Sequence, residues 1–195
     1  MKKVILLAVV IFLTSNLCQG KDFDISLNSG VSFDQSVWKP QLDEGAKSHD
    51  VPPWVGIEIN YNRWKFQPTL GFSFTHEKFD SSTPNSPVLR TSPDVYSFSL
   101  GLTRELKYFN VSVLGVLSHF ECNSTPNRLN PQSNVGGVKV GVSKLWKTTI
   151  LGTPIKMGPL VDVTWYPKEA QFDIPPKQAE KLNRIVPQVG LKIKW

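Results

Sequence analysis

Apolar and polar residues alternate along most of the chain after residue 20, in runs that turn-forming stretches separate. A period of two places successive side chains on opposite faces of a β-strand, so each run predicts a strand with one apolar and one polar face. No run has the period of a long amphipathic helix. The pattern predicts eight strands, at 22–33, 54–62, 64–77, 95–105, 108–120, 135–146, 157–166 and 186–195.

The last run shows the pattern most clearly, because its apolar face ends on an aromatic residue and its polar face carries two lysines. The apolar face holds Val189, Leu191, Ile193 and Trp195. A transmembrane β-barrel requires this arrangement, since its outer face meets lipid, its lumen is polar and aromatic side chains lie at the membrane interface. We therefore expect the apolar face of every run to face lipid.

The connections between the runs alternate strictly between short and long. The short ones are predicted at 62–63, 105–107 and 147–154, and the long ones at 34–53, 78–94, 121–134 and 167–185. This asymmetry is typical of a barrel that spans a bilayer, with short turns in the periplasm and longer loops outside. Within the third run, Pro68 cannot donate to a ladder, which predicts a bulge at that position.

The first twenty residues differ from the rest of the chain. A short basic start precedes a continuous apolar run at 4–13, and a small or polar stretch ends at Gly20. This layout predicts a secretory signal peptide over 1–20 and a mature barrel domain over 21–195. The alternative is an uncleaved anchor, although the apolar run is shorter than the roughly 20 residues that a spanning helix needs.

The charge of the mature chain is only mildly basic. Removal of Lys2 and Lys3 leaves 20 basic residues (22 − 2) against 16 acidic ones, a net charge of +4. This excess is too small and too dispersed to indicate nucleic-acid binding. The basic residues concentrate around the predicted short turns, where they could contact anionic phospholipid headgroups or simply be solvated. The mature chain has one cysteine, Cys122, because Cys18 lies in the predicted signal peptide. No intrachain disulfide is then possible, so closure of the sheet in lipid would have to hold the fold.

The signal peptide, the alternating runs, the unequal connections and the terminal aromatic residue resemble one group of proteins. They are similar to the small eight-stranded outer-membrane barrels of Gram-negative bacteria, of the OmpX, OmpA transmembrane-domain and opacity-protein type. The resemblance covers 21–195 and implies an all-β fold, an eight-stranded antiparallel up-and-down transmembrane β-barrel in the outer membrane. It also implies that the final strand, with Val189, Leu191, Ile193 and Trp195, is the signal that the barrel-assembly machinery recognises. We expect a monomer that contacts outer-membrane lipids.

Charged residues of both signs recur on the polar faces of the runs, which line the lumen of the predicted barrel. An eight-stranded barrel is only wide enough to be filled by side chains, and an unpaired charge inside it is costly. The predicted interior charges are Glu58, Lys65, Glu105, Lys139, Asp162 and Lys192, with Asp24, Glu77 and Lys194 on the same faces. We expect them to pair and to close the lumen, while a narrow ion path is the alternative.

Three histidines, His49, His76 and His119, lie near the predicted long-loop end, each within two residues of an acid. Such clusters could bind a transition metal or titrate near neutral pH. The alternation points His76 and His119 outward, which favours a place in an aromatic girdle. No metal and no cofactor is predicted.

Two enzyme families share the eight-stranded barrel, and the chain lacks the features of both. Lipid A deacylases carry a His-x-Ser pair, in which the serine attacks an ester and the histidine is its base. Here the residues two after His76 and His119 are Lys78 and Glu121. Palmitoyltransferases place an amphipathic helix before the first strand, and the segment before the first run has no room for one. We therefore expect no enzyme activity.

These observations favour a structural or surface-interaction role of the adhesion type. Four loops on a rigid barrel would contact host cells, phage or other surface molecules. One alternative is a narrow, porin-like channel for ions or small solutes. Another is a secreted soluble barrel that binds a lipophilic ligand, which would require the apolar faces to point inward.

Overall fold

The computed structural model describes residues 22–33, 52–76, 79–81, 89–125, 132–150, 152–167 and 185–195. These residues form ten strands: β1 (Phe23–Ser32), β2 (Pro53–Tyr61), β3 (Gln67–His76), β4 (Phe79–Ser81), β5 (Leu89–Glu105), β6 (Asn110–Thr125), β7 (Gln132–Ser143), β8 (Trp146–Ile150), β9 (Thr153–Trp165) and β10 (Ile185–Lys194). No helix in this part of the chain is long and apolar enough to cross a membrane. The predicted signal peptide, His49 and Glu77 lie outside the described residues.

Eight of the strands form a closed antiparallel barrel in the order β1, β2, β3, β5, β6, β7, β9 and β10. Consecutive strands in this order are paired, and β10 pairs with both β9 and β1, which closes the ring. Closure lets the strands satisfy their backbone hydrogen bonds between one another, which is the requirement for crossing lipid. The predicted all-β, eight-stranded up-and-down barrel is confirmed.

The ring closes beside a pair of glycines, Gly30 on β1 and Gly190 on β10. A Cβ atom on Gly30 would overlap the backbone of Val189 and Gly190, so the two strands approach more closely than a side chain would allow. A glycine within a strand is typical of such a close approach between backbones.

Two of the predicted long connections are in fact hairpins that continue the barrel strands. β4 extends the register of β3 along β5, because Phe79 pairs with Thr91. β6 and β7 remain paired as far as Glu121 and Gln132. The predicted bounds of these connections were too wide, since the sequence over 78–94 and 121–134 has no apolar–polar alternation. We attribute this to a strand that continues beyond the lipid, where both of its faces meet water.

The short turn after β8 was also predicted too long. β8 continues β7 in the same register, and its pairing with β9 runs to Ile150 and Thr153. The reversal therefore falls between Ile150 and Thr153, with Gly152 at a φ of 79°, and the predicted range of 147–154 was too long. Glycine adopts this left-handed conformation without steric cost. All five residues of β8 are exposed, so no alternation marks it as a strand.

The third strand begins later than predicted. β3 starts at Gln67, so residues 64–66 belong to the connection from β2. Lys65 is exposed in that connection and does not line the lumen, which corrects its predicted placement. The prediction failed because exposed aromatic residues on either side of Lys65 extend the apolar–polar alternation past the end of the strand.

The predicted bulge at Pro68 is wrong. The β3–β5 register runs through the pair of Pro68 with Leu102 without interruption. Pro68 lies beyond the last pair of the β2–β3 ladder, which ends at Asn60 and Thr69. With a partner strand on one side only, its position is like that of a sheet edge, where a missing N–H donor is tolerated.

The barrel has apolar side chains outside and polar side chains inside, as the alternation predicts. Phe72, Phe98 and Leu191 are 52%, 48% and 40% exposed on the outer face, whereas Glu58 and Lys139 are 4% and 8% exposed within the lumen. A water-soluble barrel would have the opposite arrangement. The outer face is therefore built to contact hydrocarbon.

Candidate functional site: the lumen and the barrel ends

A network of four buried charges crosses the middle of the lumen. The Nζ atom of Lys192 donates to Glu58 Oε2, and the Nζ atom of Lys139 lies 3.7 Å from Glu58 Oε1. Lys139 is also 4.0 Å from Asp162 Oδ2, so two lysines face two carboxylates. The four side chains come from β2, β7, β9 and β10. Their formal charges cancel, which is the condition under which charges can be buried together.

Glycines on the facing strands make room for the two carboxylates. Gly71 lies opposite Glu58, and Gly141 lies opposite Asp162. A Cβ atom on Gly71 would overlap Ser99 Oγ and lie 3.3 Å from the Glu58 side chain, and one on Gly141 would overlap the Asp162 carboxylate. The lumen is therefore packed so closely that large side chains need a glycine across the ladder.

A second charge cluster lies at the short-turn mouth of the barrel. The Nζ atom of Lys194 is 2.7 Å from Asp24 Oδ2 and 2.5 Å from Glu105 Oε1. Glu105 Oε1 is also 3.6 Å from the Nζ atom of Lys156. Of the predicted interior charges, Glu105 thus lies at the mouth, half-exposed, and not in the central network.

The other half of the lumen contains hydroxyls and aromatic rings. The Ser118 hydroxyl is 2.8 Å from Ser97 Oγ and 2.8 Å from the Tyr166 hydroxyl, and the Phe120 ring packs edge-on against Tyr166. A cavity of about 40 Å³ lies among these side chains and reaches Lys139. Since one water needs roughly 10–15 Å³ of such volume, the cavity can hold only a few waters. The described part of the lumen is filled by side chains.

The outward-facing histidines belong to an aromatic girdle at the long-loop end. Along this girdle, the rings of Phe74 and Tyr96 are 5.1 Å apart, and the rings of His76 and His119 each lie 6.4 Å from one of them. His76 Nδ1 is 2.6 Å from Asp94 Oδ1. The outward direction predicted for both histidines is confirmed. Within the ranges that the structure describes, no three His, Cys, Asp or Glu side chains could hold a metal ion together.

Three basic side chains lie over aromatic rings at the opposite, short-turn end. Arg104 lies 5.0 Å from the centroid of the Phe66 ring. The two further pairs are Lys107 with Tyr108, at 5.2 Å, and Lys144 with Trp146, at 5.5 Å. Aromatic rings at the membrane interface attract cations to their faces. This girdle is therefore both aromatic and basic.

The predicted assembly signal lies on the final strand of the ring. Val189 and Leu191 are exposed on the outer face, and Ile193 is partly buried. The backbone N–H of Trp195 donates to the carbonyl of Ile25 at 2.9 Å, so the end of β10 is tied to β1. Recognition of this strand by an assembly machinery stays a prediction.

Known structures share this fold at low sequence identity. No family model and no curated protein matches the chain. The structure is similar to that of Ail, the attachment invasion locus protein of Yersinia pestis, in complex with the heparin analogue sucrose octasulfate. That match has a TM-score of 0.52 and 12% identity, over 89% of this chain and 98% of that one. A major outer membrane protein from Thermus thermophilus matches with a TM-score of 0.49 and 7% identity, over 89% and 98% of the two chains.

The closed ring of eight strands, the apolar outer face and the two aromatic girdles define the class of protein. The chain is an outer-membrane β-barrel, and its lumen and surface have the polarity that this class requires.

Proposed function

We propose that the protein is a surface-displayed barrel whose outer loops bind a partner, of the adhesion type, while its lumen has a structural role. The observation that carries the proposal is the filled lumen. The central ion pairs and the hydroxyl cluster occupy the interior, so the barrel body offers no wide passage for a solute. A rigid scaffold with long connections at one end is the arrangement in which loops carry binding.

The charge of the outer connections limits what the partner can be. The segments 34–51, 82–88, 126–131 and 168–184 contain seven Lys or Arg and seven Asp or Glu. Ail was solved with a heparin analogue, but balanced loops have no net charge with which to attract a polysulfated ligand over a distance. We therefore favour a partner that is recognised by mixed polar and apolar contacts on a cell surface.

The test is the adhesion of whole bacteria to epithelial monolayers. A non-adherent laboratory strain that expresses the protein should adhere more than the same strain with an empty vector. Replacement of 34–51 and of 168–184 by short glycine–serine turns should abolish the gain, whereas replacement of the periplasmic turn 62–66 should leave it unchanged. Heat-modifiable migration on a gel verifies that each variant is folded. Equal adhesion by the loop-replaced cells would refute the proposal.

A narrow channel is the second candidate, since a small cavity adjoins the lumenal lysine Lys139. The ion pairs that fill the lumen argue against it, because an ion would have to displace them to pass. Planar-bilayer recordings of the purified protein should therefore show no discrete openings. Reproducible unitary conductance would replace the loop-binding proposal by the channel.

A further inference from the structure

Two lysines lie directly opposite each other at the short-turn mouth. Lys147 on β8 pairs across the ladder with Lys156 on β9. Like charges in directly opposed positions destabilise a sheet. A third lysine, Lys107, lies in the neighbouring turn between β5 and β6, and it lines the same pocket as the other two. The fold thus brings three cations together.

The pocket does not neutralise these cations. Its one carboxylate is Glu105, which already accepts from Lys194 and lies 3.6 Å from Lys156. Lys147 and Lys107 make no ion pair with any side chain in the described ranges, and the Nζ atom of Lys107 lies over the face of the Tyr108 ring. The pocket therefore has more positive than negative charge along its wall.

The lining residues and the position of the pocket favour an amphiphilic ligand. Its volume is about 210 Å³, and four of its lining residues are apolar or aromatic: Leu106, Tyr108, Phe109 and Leu145. Tyr108 and Phe109 are exposed, at the level of the basic girdle that Arg104 and Lys144 mark. Lysines bind phosphate as point charges, and exposed aromatic rings lie at the headgroup level of a bilayer.

We propose that this pocket binds the phosphate group of an anionic phospholipid of the inner leaflet, through Lys107, Lys147 and Lys156. The acyl chains then extend past the exposed rings of Tyr108 and Phe109 into the bilayer. Inorganic phosphate has the same charged group but no apolar portion, so it would make no contact with these rings.

The experiment follows the backbone amides of Lys107 and Lys147 by NMR, with the labelled protein in nanodiscs. In one arm, phosphatidylglycerol replaces phosphatidylcholine in steps, and in the other, inorganic phosphate is added to pure phosphatidylcholine discs. We expect saturable shifts in the first arm only. Loss of one phosphate contact in K147Q should raise the half-saturating lipid fraction by about threefold or more.

The matched control is K65Q, which removes an exposed lysine at the same end of the barrel but outside the pocket. It should titrate like the wild type. K107Q is the second pocket variant, and it should weaken binding as K147Q does. Equal weakening by K65Q, or amides that do not respond to phosphatidylglycerol, would overturn the proposal. If inorganic phosphate alone shifted the same amides to saturation, the lipid would be refuted as the ligand and a free anion would replace it.

Discussion

Removal of Glu58 from the lumenal network should destabilise the barrel strongly. Glu58 accepts from Lys192 and lies 3.7 Å from Lys139, so E58Q leaves two buried lysines with Asp162 as the nearest carboxylate in the network. Loss of one partner from a buried ion pair costs about 3–5 kcal/mol, because the remaining charge stays desolvated. Glutamine has nearly the same shape as glutamate, so little of this loss comes from packing.

A double variant separates charge from structure. E58Q/K192M removes one charge of each sign and leaves Lys139 and Asp162, which are 4.0 Å apart, as a neutral pair. Replacement of a buried ion pair as a whole is often neutral, so the double variant should regain at least about half of the free energy lost in E58Q. K65Q, at an exposed position, should match the wild type.

The assay is unfolding by urea in lipid vesicles, followed by tryptophan fluorescence. The free energy of unfolding is compared among the four proteins at one lipid composition and one pH. A loss below about 1 kcal/mol in E58Q, in the range of an exposed ion pair, would refute the reasoning. A double variant that is less stable than E58Q would also refute it, because the unpaired lysine would then not be the cause of the stability lost in E58Q.

Three further predictions use the same vesicles or cell fractions. G141A should lower the free energy of unfolding by about 1–3 kcal/mol, because its methyl group overlaps a lumenal carboxylate. G136A should be close to neutral, because its methyl group would lie 4.0 Å from the Val116 carbonyl oxygen, an ordinary contact distance. L100R places a cation on the outer face of the barrel within the hydrocarbon and should lower the free energy of unfolding by about 2–4 kcal/mol. Y108R, at the membrane interface, should lower it by only about 0–1 kcal/mol. Equal losses would contradict the assignment of Leu100 to the hydrocarbon and Tyr108 to the interface. W195A should refold normally in vesicles yet yield less heat-modifiable protein in outer-membrane fractions, and an unchanged yield would dismiss the terminal aromatic residue as an assembly signal.

The alternation of apolar and polar residues predicts the barrel because lipid imposes it. A strand that crosses hydrocarbon must be apolar on its outer face, so Phe72 and Phe98 reveal both the strand and its orientation. Where a hairpin extends beyond the lipid, both faces are in water and the constraint disappears. This explains why β4 and β8 were missed, together with the true ends of the connections around them.

The interior charges were predictable as a set, but their pairing was not. Glu58 and Lys192 are 134 positions apart in the chain, and only closure of the ring brings them together. Lys65 was misplaced, because a turn can continue the alternation by chance. Leu114 shares the inward face of its strand with Asn110 and Ser112, and it is fully buried in the lumen opposite Gly101 although it is apolar. In that strand both faces carry apolar residues, so the alternation is ambiguous.

The pairing of β10 with β1, where the ring closes, has a consequence for truncated chains. Since β10 is bonded to strands on both of its sides, a chain without it is not a slightly smaller barrel. It is an open sheet with two unpaired edge strands in the hydrocarbon. Each backbone amide along these edges loses its hydrogen-bond partner and has no water to replace it. Damage to this one segment should therefore eliminate the inserted protein, and a shortened form that persists in the bilayer is not expected.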